Sequence, residues 1–254
     1  MKRKSHALFC LLMLAACALH GQEDKPYNDS HKGAINIEFA AGLNNTVPLG
    51  IDAKAVRTTI RDNEEIHSDY KGGLYPKTAA FGGILLDYGF HQSGAIGFGL
   101  LYTPKGYWLF ESNIPSATSL PSLIEKRKTF VTVDYFDMPI FFKAYFHGNK
   151  FSLRFGPVIS MALLSKVRVI TEAEGAKTKE KYRLGEGTNN EIFYEGLPNE
   201  VPKFIVPGME AALNYGNASG LQGTLVIGFS GSMFENADVK SFIARIGISY
   251  MLSK

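Results

Sequence analysis

The chain has 254 residues, of which 45% are hydrophobic and 20% are charged, with 27 Lys and Arg against 24 Asp and Glu. Three of the cations, Lys2, Arg3 and Lys4, lie at the N-terminus, so the rest of the chain carries balanced charge and has no basic field to attract nucleic acid. Both cysteines, Cys10 and Cys17, precede residue 21, so disulfides are excluded as staples of the domain that follows.

Residues 1–21 have the pattern of a secretory signal peptide. The basic N-terminus precedes an apolar run from Ala7 to Leu19, which is too short and wrongly flanked for a transmembrane helix. Cleavage after Gly21 would leave Gln22 first. Alternatively, "LAAC" at 14–17 resembles a lipobox, in which Cys17 would be lipidated and become the first residue.

Eight later segments alternate with a period of two residues. One face of each carries large aliphatic or aromatic side chains, and the other carries polar, charged or small ones. In the first segment Ile35, Ile37 and Phe39 oppose Asn36 and Glu38. In chain order the segments cover residues 33–43, 80–90, 95–103, 134–146, 151–163, 204–215, 221–233 and 242–252.

These strands predict an all-β fold, an eight-stranded antiparallel up-and-down transmembrane β-barrel. No apolar run after residue 21 is long enough for a membrane helix, and a closed barrel is the other structure that satisfies its backbone hydrogen bonds in lipid. We therefore divide the chain into the signal peptide, a short periplasmic segment over 22–32 and an outer-membrane barrel domain over 33–254.

The connections between strands support this topology. Three are short turns rich in Gly, Asn and Ser, at 91–94, 147–150 and 216–219, and three are long, at about 44–79, 106–128 and 168–202. Short turns at one rim and long loops at the other are typical of outer-membrane barrels, with both termini on the periplasmic side. The long loops are either solvated surface or a binding surface for a partner.

A soluble lipocalin-like barrel is the alternative fold, because alternation alone does not say which face points outward. Two features favour the membrane barrel. The polar face is rich in small residues, as a narrow interior requires, and the other face carries large apolar side chains, as lipid requires. Tyr102, Tyr215 and Tyr250 lie near strand ends, where interfacial aromatic girdles occur.

Three blocks carry a resemblance to a known family: "GLLYTPKG" (99–106), "DYFDMPIFFKAYF" (134–146) and "RFGPVISMALLS" (154–165). In this order they resemble the PorT-like outer-membrane β-barrel proteins of Bacteroidota-type bacteria. The resemblance implies the outer membrane of a Gram-negative bacterium and, because the family name comes from a component linked to type IX secretion, a secretion-associated role.

The last strand resembles a barrel-assembly signal, which implies recognition by the barrel-assembly machinery. The pattern of a polar residue, a glycine, an aromatic and a hydrophobic residue is carried by Arg245, Gly247, Tyr250 and Leu252. The chain then continues with Ser-Lys, whereas the usual signal ends on an aromatic residue.

The polar faces of the strands place seven charged residues in the barrel interior: Glu38, Asp87, Asp137, Lys143, Arg154, Glu210 and Arg245. Because eight strands leave an interior about wide enough for side chains alone, we predict a paired charge network that plugs the lumen. A gated pore, in which some pairs break and re-form, is the alternative. Pro139 and Pro157 cannot donate to a ladder, so we predict bulges or shifts of pairing there.

No arrangement of residues predicts catalysis, a metal site or a cofactor. His67, Ser68 and Asp69 are adjacent in one loop, and adjacent residues rarely converge as a catalytic triad does. We expect a non-enzymatic protein with a structural, interaction or secretion-associated role. Its expected partners are outer-membrane lipid, the barrel-assembly machinery and secretion-machine or surface proteins. A small porin or passive transporter and a soluble lipocalin-like carrier are the alternatives.

Overall fold

The computed structural model describes residues 32–114, 124–146, 150–173, 175–183, 201–216, 220–235 and 237–253. The predicted signal peptide and lipidation site, with Cys17 and Gln22, lie outside these residues, as does most of the predicted periplasmic segment. Within these ranges no helix is both long enough and apolar enough to span a membrane.

The described residues form nine antiparallel strands and one helix. Eight strands close a ring in the order β1, β2, β3, β4, β5, β7, β8 and β9, and β9 pairs back with β1. In chain order the elements are β1 (Ile35–Leu49), α1 (Ile51–Ile66), β2 (Lys71–His91), β3 (Gly94–Ile114), β4 (Ile124–Phe146), β5 (Phe151–Ala173), β6 (Ala176–Tyr182), β7 (Ile205–Gly216), β8 (Leu221–Ser230) and β9 (Lys240–Ser253). The ninth strand, β6, pairs only with β5 among the described residues. The predicted all-β barrel of eight antiparallel strands is therefore confirmed.

The large apolar side chains point out of the barrel. In β1, Ile35 and Phe39 are 59% and 46% exposed, whereas Asn36 and Glu38 between them are fully buried. The other barrel strands repeat this arrangement, with outward-facing residues that include Ile84, Phe98, Ile140, Phe155, Met209, Ile227 and Ile248. We call this ring of exposed apolar side chains the lipid-facing band. Apolar side chains point outward in a transmembrane barrel and inward in a lipocalin, so this arrangement is that of a transmembrane barrel.

Four strands extend well beyond the lipid-facing band. β2 and β3 have 21 residues and β4 and β5 have 23, whereas β8 has 10. The extensions occupy parts of the sequence that we predicted as long loops, so that prediction is wrong there. The outward-facing residues of the extensions mix charged side chains with aromatic ones, so they do not give the uniformly apolar face by which the membrane strands are recognised. We call these extensions, with α1 and β6, the protruding half.

The helix α1 was also missed, since the sequence around it reads as a mixed-charge loop. Its buried residues Ala53, Val56 and Ile60 recur at helical spacing and form one apolar stripe. The stripe faces the inner side of the protruding strands, where an apolar core forms. This upper core comprises Val56, Ile60, Tyr70, Tyr107, Leu109, Val131, Val133, Tyr135, Val167, Val169, Val206, Met233, Phe234, Ala237 and Val239.

The segment between β8 and β9 fixes the start of α1. The backbone N–H of Ile51 donates to Asp238 Oδ2 at 3.2 Å. In return, the backbone N–H of Asp238 donates to Asp52 Oδ2 at 2.5 Å. A carboxylate that accepts from the first turn of a helix satisfies one of its unpaired N–H groups. The first turn of α1 is thereby tied to the segment just before β9, whose first residue, Lys240, pairs with Leu49 at the end of β1.

The predicted bulges at Pro139 and Pro157 are wrong. The pairing of β4 with β5 skips residues 140 and 141, but Met138–Ile159 and Phe142–Phe155 share one register. The pairing of β5 with β7 runs through Pro157 without interruption. A missing proline N–H therefore removes single hydrogen bonds here and leaves the register unchanged. The two register shifts between β4 and β5 fall instead between residues 124 and 126 and between residues 134 and 135.

Candidate functional site

The end of the lumen nearest the short turns contains a buried charge cluster. Lys143 on β4 lies 3.0 Å from Glu38 on β1 and 3.3 Å from Asp87 on β2, measured from Nζ to carboxylate oxygens. Arg154 on β5 approaches the other oxygen of Glu38 at 3.7 Å. All four side chains are almost completely buried. This lower cluster of two cations and two carboxylates has no net formal charge.

Hydrogen bonds hold the carboxylates of the lower cluster in position. The Asn36 amide donates to Asp87 Oδ1 at 2.6 Å, and the Tyr145 hydroxyl donates to the same oxygen at 3.4 Å. The Lys143 ammonium also lies 5.3 Å from the centre of the Tyr145 ring. These contacts offset much of the cost of burying Asp87 and Lys143. Glu38 Oε1 and Arg154 Nε and Nη1, by contrast, have no hydrogen-bond partner among the described residues.

A second buried cluster lies further along the lumen, toward the protruding half. Asp137 on β4 accepts from Lys105 Nζ at 2.8 Å and from Arg245 Nη2 at 2.5 Å. Arg245 also contacts Glu210 at 2.9 Å, and Lys105 donates to Ser160 Oγ at 2.7 Å. The upper cluster, formed by Lys105, Asp137, Glu210 and Arg245, is again neutral and buried.

An apolar layer separates the two charge clusters. It consists of Ala40, Phe81, Leu85, Leu101 and Phe141. Phe141 lies against Gly97, where a Cβ atom would come within 2.6 Å of the ring, so only glycine fits there. The Phe141 ring also lies 5.1 Å from the Arg154 guanidinium of the lower cluster. The lumen is thus layered into charged, apolar and charged levels beneath the apolar upper core.

The structure brings all seven predicted lumen charges into these two clusters. The residue that the sequence reading missed is Lys105. The seven comprise four acids and three cations, and a buried set of that composition leaves one acid without a partner. Continuing the alternation of β3 beyond Leu101 and Thr103 also places Lys105 inside. Either signal identifies Lys105 from the sequence.

A small cavity borders the upper cluster. It has a volume of about 10 Å³ and is lined by residues that include Lys105, Asp137, Glu210 and Arg245. Two buried atoms at this level, Glu210 Oε1 and Arg245 Nε, have no hydrogen-bond partner among the described residues. A cavity of that size is about large enough for one water molecule and too small for a solute.

A third polar group is buried inside the protruding half. The Tyr70 hydroxyl donates to Glu111 at 2.9 Å, and Arg127 lies 3.2 Å from the other oxygen of the same carboxylate. Burial, together with the neighbouring Glu111 charge, raises the pKa of the Tyr70 hydroxyl, so Tyr70 stays a neutral donor. The group ties the segment after α1 to β3.

The residues of the predicted assembly signal all lie on β9. Arg245 points inward to the upper cluster, whereas Tyr250 and Leu252 are about half exposed on the lipid-facing side. Gly247 lies opposite Gly42 of β1, where a Cβ would come within 2.3 Å of the Ala41 carbonyl oxygen. Recognition by the assembly machinery stays a prediction.

The residues considered for catalysis are not assembled into a site. His67, Ser68 and Asp69 are exposed after the end of α1. Among the described residues, no group of three or more His, Cys, Asp or Glu side chains is placed to hold a metal ion.

Residues 21–189 match the family described as "Outer membrane protein beta-barrel domain". No curated protein matches the sequence.

Three solved structures match the chain at low sequence identity. Ail, the attachment invasion locus protein of Yersinia pestis, shows 7% identity and a TM-score of 0.38 over 87% of this chain and 99% of that chain. Neisserial surface protein A shows 9% identity and a TM-score of 0.35, over 86% and 99%. The outer membrane protein OprG from Pseudomonas aeruginosa shows 9% identity and a TM-score of 0.37, over 87% and 97%.

Proposed function

Because the chain belongs to the outer membrane protein β-barrel domain family, we propose that it is an outer-membrane barrel of a Gram-negative bacterium with a plugged, non-conducting lumen. The observation that carries the proposal is the pairing of charges across the barrel. β4 and β9 are diametrically opposite in the ring of eight strands, and the Asp137–Arg245 pair joins them at 2.5 Å. The Lys143–Glu38 pair likewise joins β4 to β1.

Opening a channel through this lumen would separate buried ion pairs. An unpaired buried charge costs several kcal/mol, and both neutral clusters would have to open together with the apolar layer between them. Above them, the upper core and α1 fill the barrel mouth. The interior of an eight-stranded barrel is about wide enough for side chains alone, so the arrangement favours a plug over a gate.

Single-channel recording in planar bilayers tests the plug. We expect the refolded protein to insert without steady openings, while a general porin added afterwards to the same bilayer shows that channels are detectable. Steady nanosiemens-scale openings would contradict the proposal and favour a small porin or passive transporter.

We further propose a non-enzymatic, PorT-like role in structure, interaction or secretion. The three sequence blocks that resemble the PorT-like family support a Bacteroidota-type source. The protruding half supports an interaction role, because it presents a folded surface with its own core outside the lipid-facing band. Its partners would be secretion-machine or surface proteins, and insertion would need the barrel-assembly machinery.

Deleting the gene and comparing the secreted and surface proteins tests the secretion-associated role. Loss of a defined set of secreted proteins, restored by the intact gene, would support it, and unchanged profiles would leave an interaction role at the surface. The mass of the mature N-terminus decides between Gln22 and an acylated Cys17.

A further inference from the structure

The outward face of the protruding half is strongly cationic. Residues directly opposite each other in antiparallel strands share a face, and Thr132–Lys166, Phe130–Arg168 and Arg168–Lys181 are such pairs across β4, β5 and β6. Lys77 belongs to this face because its ammonium donates to Thr132. The other cations on this face are Lys71, Lys126, Lys128, Lys166, Arg168, Lys177, Lys179 and Lys181. Among the described residues, two acids, Asp134 and Glu172, lie among these nine cations, which leaves a formal excess of seven there.

Two observations distinguish this cationic face from ordinary solvated surface. The whole chain is nearly balanced, with 27 cations and 24 acids, so an excess of seven on one face is a segregation of charge. The exposed face of α1, at a similar height, is mixed instead, and Arg61 there lies 3.6 Å from Asp62 and 3.8 Å from Glu65.

A row of aromatic rings crosses the cationic face. Tyr75 and Trp108 stack with ring centres 4.3 Å apart, and Trp108 and Phe130 stack at 6.0 Å. The Arg168 guanidinium continues the row 4.5 Å from the centre of the Phe130 ring. Lys128 lies 5.7 Å from the Phe110 ring in the next row. The rings give the cations a flat, fixed platform.

The cationic face begins directly above the lipid-facing band. Tyr102 and Phe136 oppose each other at the upper edge of the band on β3 and β4. Along β4, the Thr132–Lys166 level lies four residues beyond Phe136 and Lys126 lies ten residues beyond it, which is roughly 13 and 33 Å along a tilted strand. On a strand tilted by about 40° these levels lie roughly 10 and 25 Å above the band. The lowest cations, such as Lys166, therefore lie nearest the headgroup layer, and the others lie further out on the same face.

We propose that this cationic face binds the phosphorylated headgroups of outer-leaflet glycolipid. Lysine and arginine form charge-assisted hydrogen bonds with phosphate, and clustered cations next to a membrane surface attract anionic headgroups. The aromatic row supplies flat rings against which headgroup sugars lie. The inference goes beyond the proposed function, because it holds whether or not the lumen conducts.

Trp108 gives a direct readout, since it is the only tryptophan of the chain and lies in the aromatic row. The full chain in neutral detergent micelles is titrated with bis-phosphorylated lipid A while tryptophan emission is recorded. Lipid A stripped of both phosphates, inorganic phosphate and heparin form three parallel titrations. We expect saturable changes with phosphorylated lipid A that weaken as NaCl is raised.

Two variants that each lose four positive charges distinguish binding at the cationic face from attraction by the overall charge of the protein. Lys128, Arg168, Lys179 and Lys181 are replaced by Gln in the test variant, which spares Lys166 because it pairs with the buried Asp134. Lys32, Lys54, Arg61 and Lys240 are replaced by Gln in the control. We expect at least a tenfold loss of lipid A affinity in the test variant and less than a twofold loss in the control.

The heat-modifiable mobility of folded barrels checks that both variants fold. If the test variant fails to fold, the smaller variant Lys179→Gln/Lys181→Gln is expected to weaken binding about threefold. Within the described ranges these two residues lie on a strand whose one partner is β5. Equal binding of phosphate-free lipid A, or equal losses in test and control variants, would overturn the proposal. A response to heparin or to inorganic phosphate as strong as the response to lipid A would also overturn it, because the face would then bind soluble anions in general.

Discussion

The two halves of this barrel have opposite polarity although the same strands build both. On β4, Asp137 and Lys143 point into the lumen while Ile140 points to lipid. Further along the same strand, Val133 points inward to an apolar core and Lys128 points outward. Side chains alternate between inward and outward along both parts of the strand, and only the surroundings change from lipid to water. The solvent outside each segment therefore decides which side chains the interior must hold.

The largest expected difference in stability is between a buried ion pair of the lumen and an exposed ion pair of the protruding half. Lys105–Asp137 in the lumen and Lys177–Glu172 on the protruding half have the same 2.8 Å distance. Lys105→Met should lower the free energy of unfolding by about 3–5 kcal/mol, because it leaves a buried carboxylate short of a partner. Lys177→Met should cost less than about 1 kcal/mol. Urea unfolding in lipid vesicles measures both, and similar losses would show that the lumen pair is not isolated from water.

A lysine placed in the lipid-facing band and a lysine placed on the cationic face together test where the lipid ends along the outside of the barrel. Ile140 and Ile170 both face outward, the first in the lipid-facing band and the second among the cations. Ile140→Lys should cost about 2–4 kcal/mol of stability, because lysine must enter the hydrocarbon. Ile170→Lys should change stability by less than about 1 kcal/mol in the same unfolding assay. Equal costs would contradict the assigned upper edge of the band.

Weakening the upper core should release α1 while the barrel strands stay folded. Ile60 is 8% exposed and packs in the core beneath α1, so Ile60→Ala should weaken docking of the helix by about 2 kcal/mol. Hydrogen exchange should speed up over 51–66 and stay unchanged over β1 and β9. Faster exchange along the whole barrel would indicate a single cooperative unit. Ile66→Ala is the matched control, because Ile66 is 72% exposed.

The smallest expected effect is a pH dependence confined to α1. The N–H of Ile51 and the Lys240 ammonium lower the pKa of the Asp238 carboxyl. A lowered folded-state pKa stabilises the docked helix at pH values above the unfolded value of about 4, and this stabilisation is lost as pH falls through the folded value. Exchange over 51–66, corrected for intrinsic rates, should rise only below about pH 4. Asp238→Ala should abolish that step, and a step near pH 6 would contradict the assignment.

The sequence predicted the membrane half well because lipid imposes a simple rule on it. Large apolar residues such as Phe136 and Ile140 must alternate with polar ones, so eight strands and seven lumen charges could be read directly. Lys105 was missed because it follows Pro104, where the lipid-facing pattern ends. The alternation of β3 continued past that point and the charge balance of the lumen both place a cation there.

The protruding half was harder to predict because water accepts many outward residues. The strand extensions and α1 expose mixed or basic side chains, so only the inward spacing of Val131, Val133 and Tyr135, or of Val56 and Ile60, marks them. The prolines were misread for another reason. A ladder can lose single hydrogen bonds at Pro139 without changing register, and sequence does not distinguish that from a bulge.

The most direct test of the plugged lumen is whether water reaches the upper cluster. Ser160 is fully buried there and accepts from Lys105, and Cys10 and Cys17 are the only native cysteines. With both replaced by Ser, a Ser160→Cys variant is treated with a charged, membrane-impermeant thiol reagent in vesicles, beside an exposed Ser68→Cys control. We expect rapid modification at position 68 and none at 160 until the barrel is unfolded. Equally rapid modification of the folded barrel at both positions would contradict a plugged lumen.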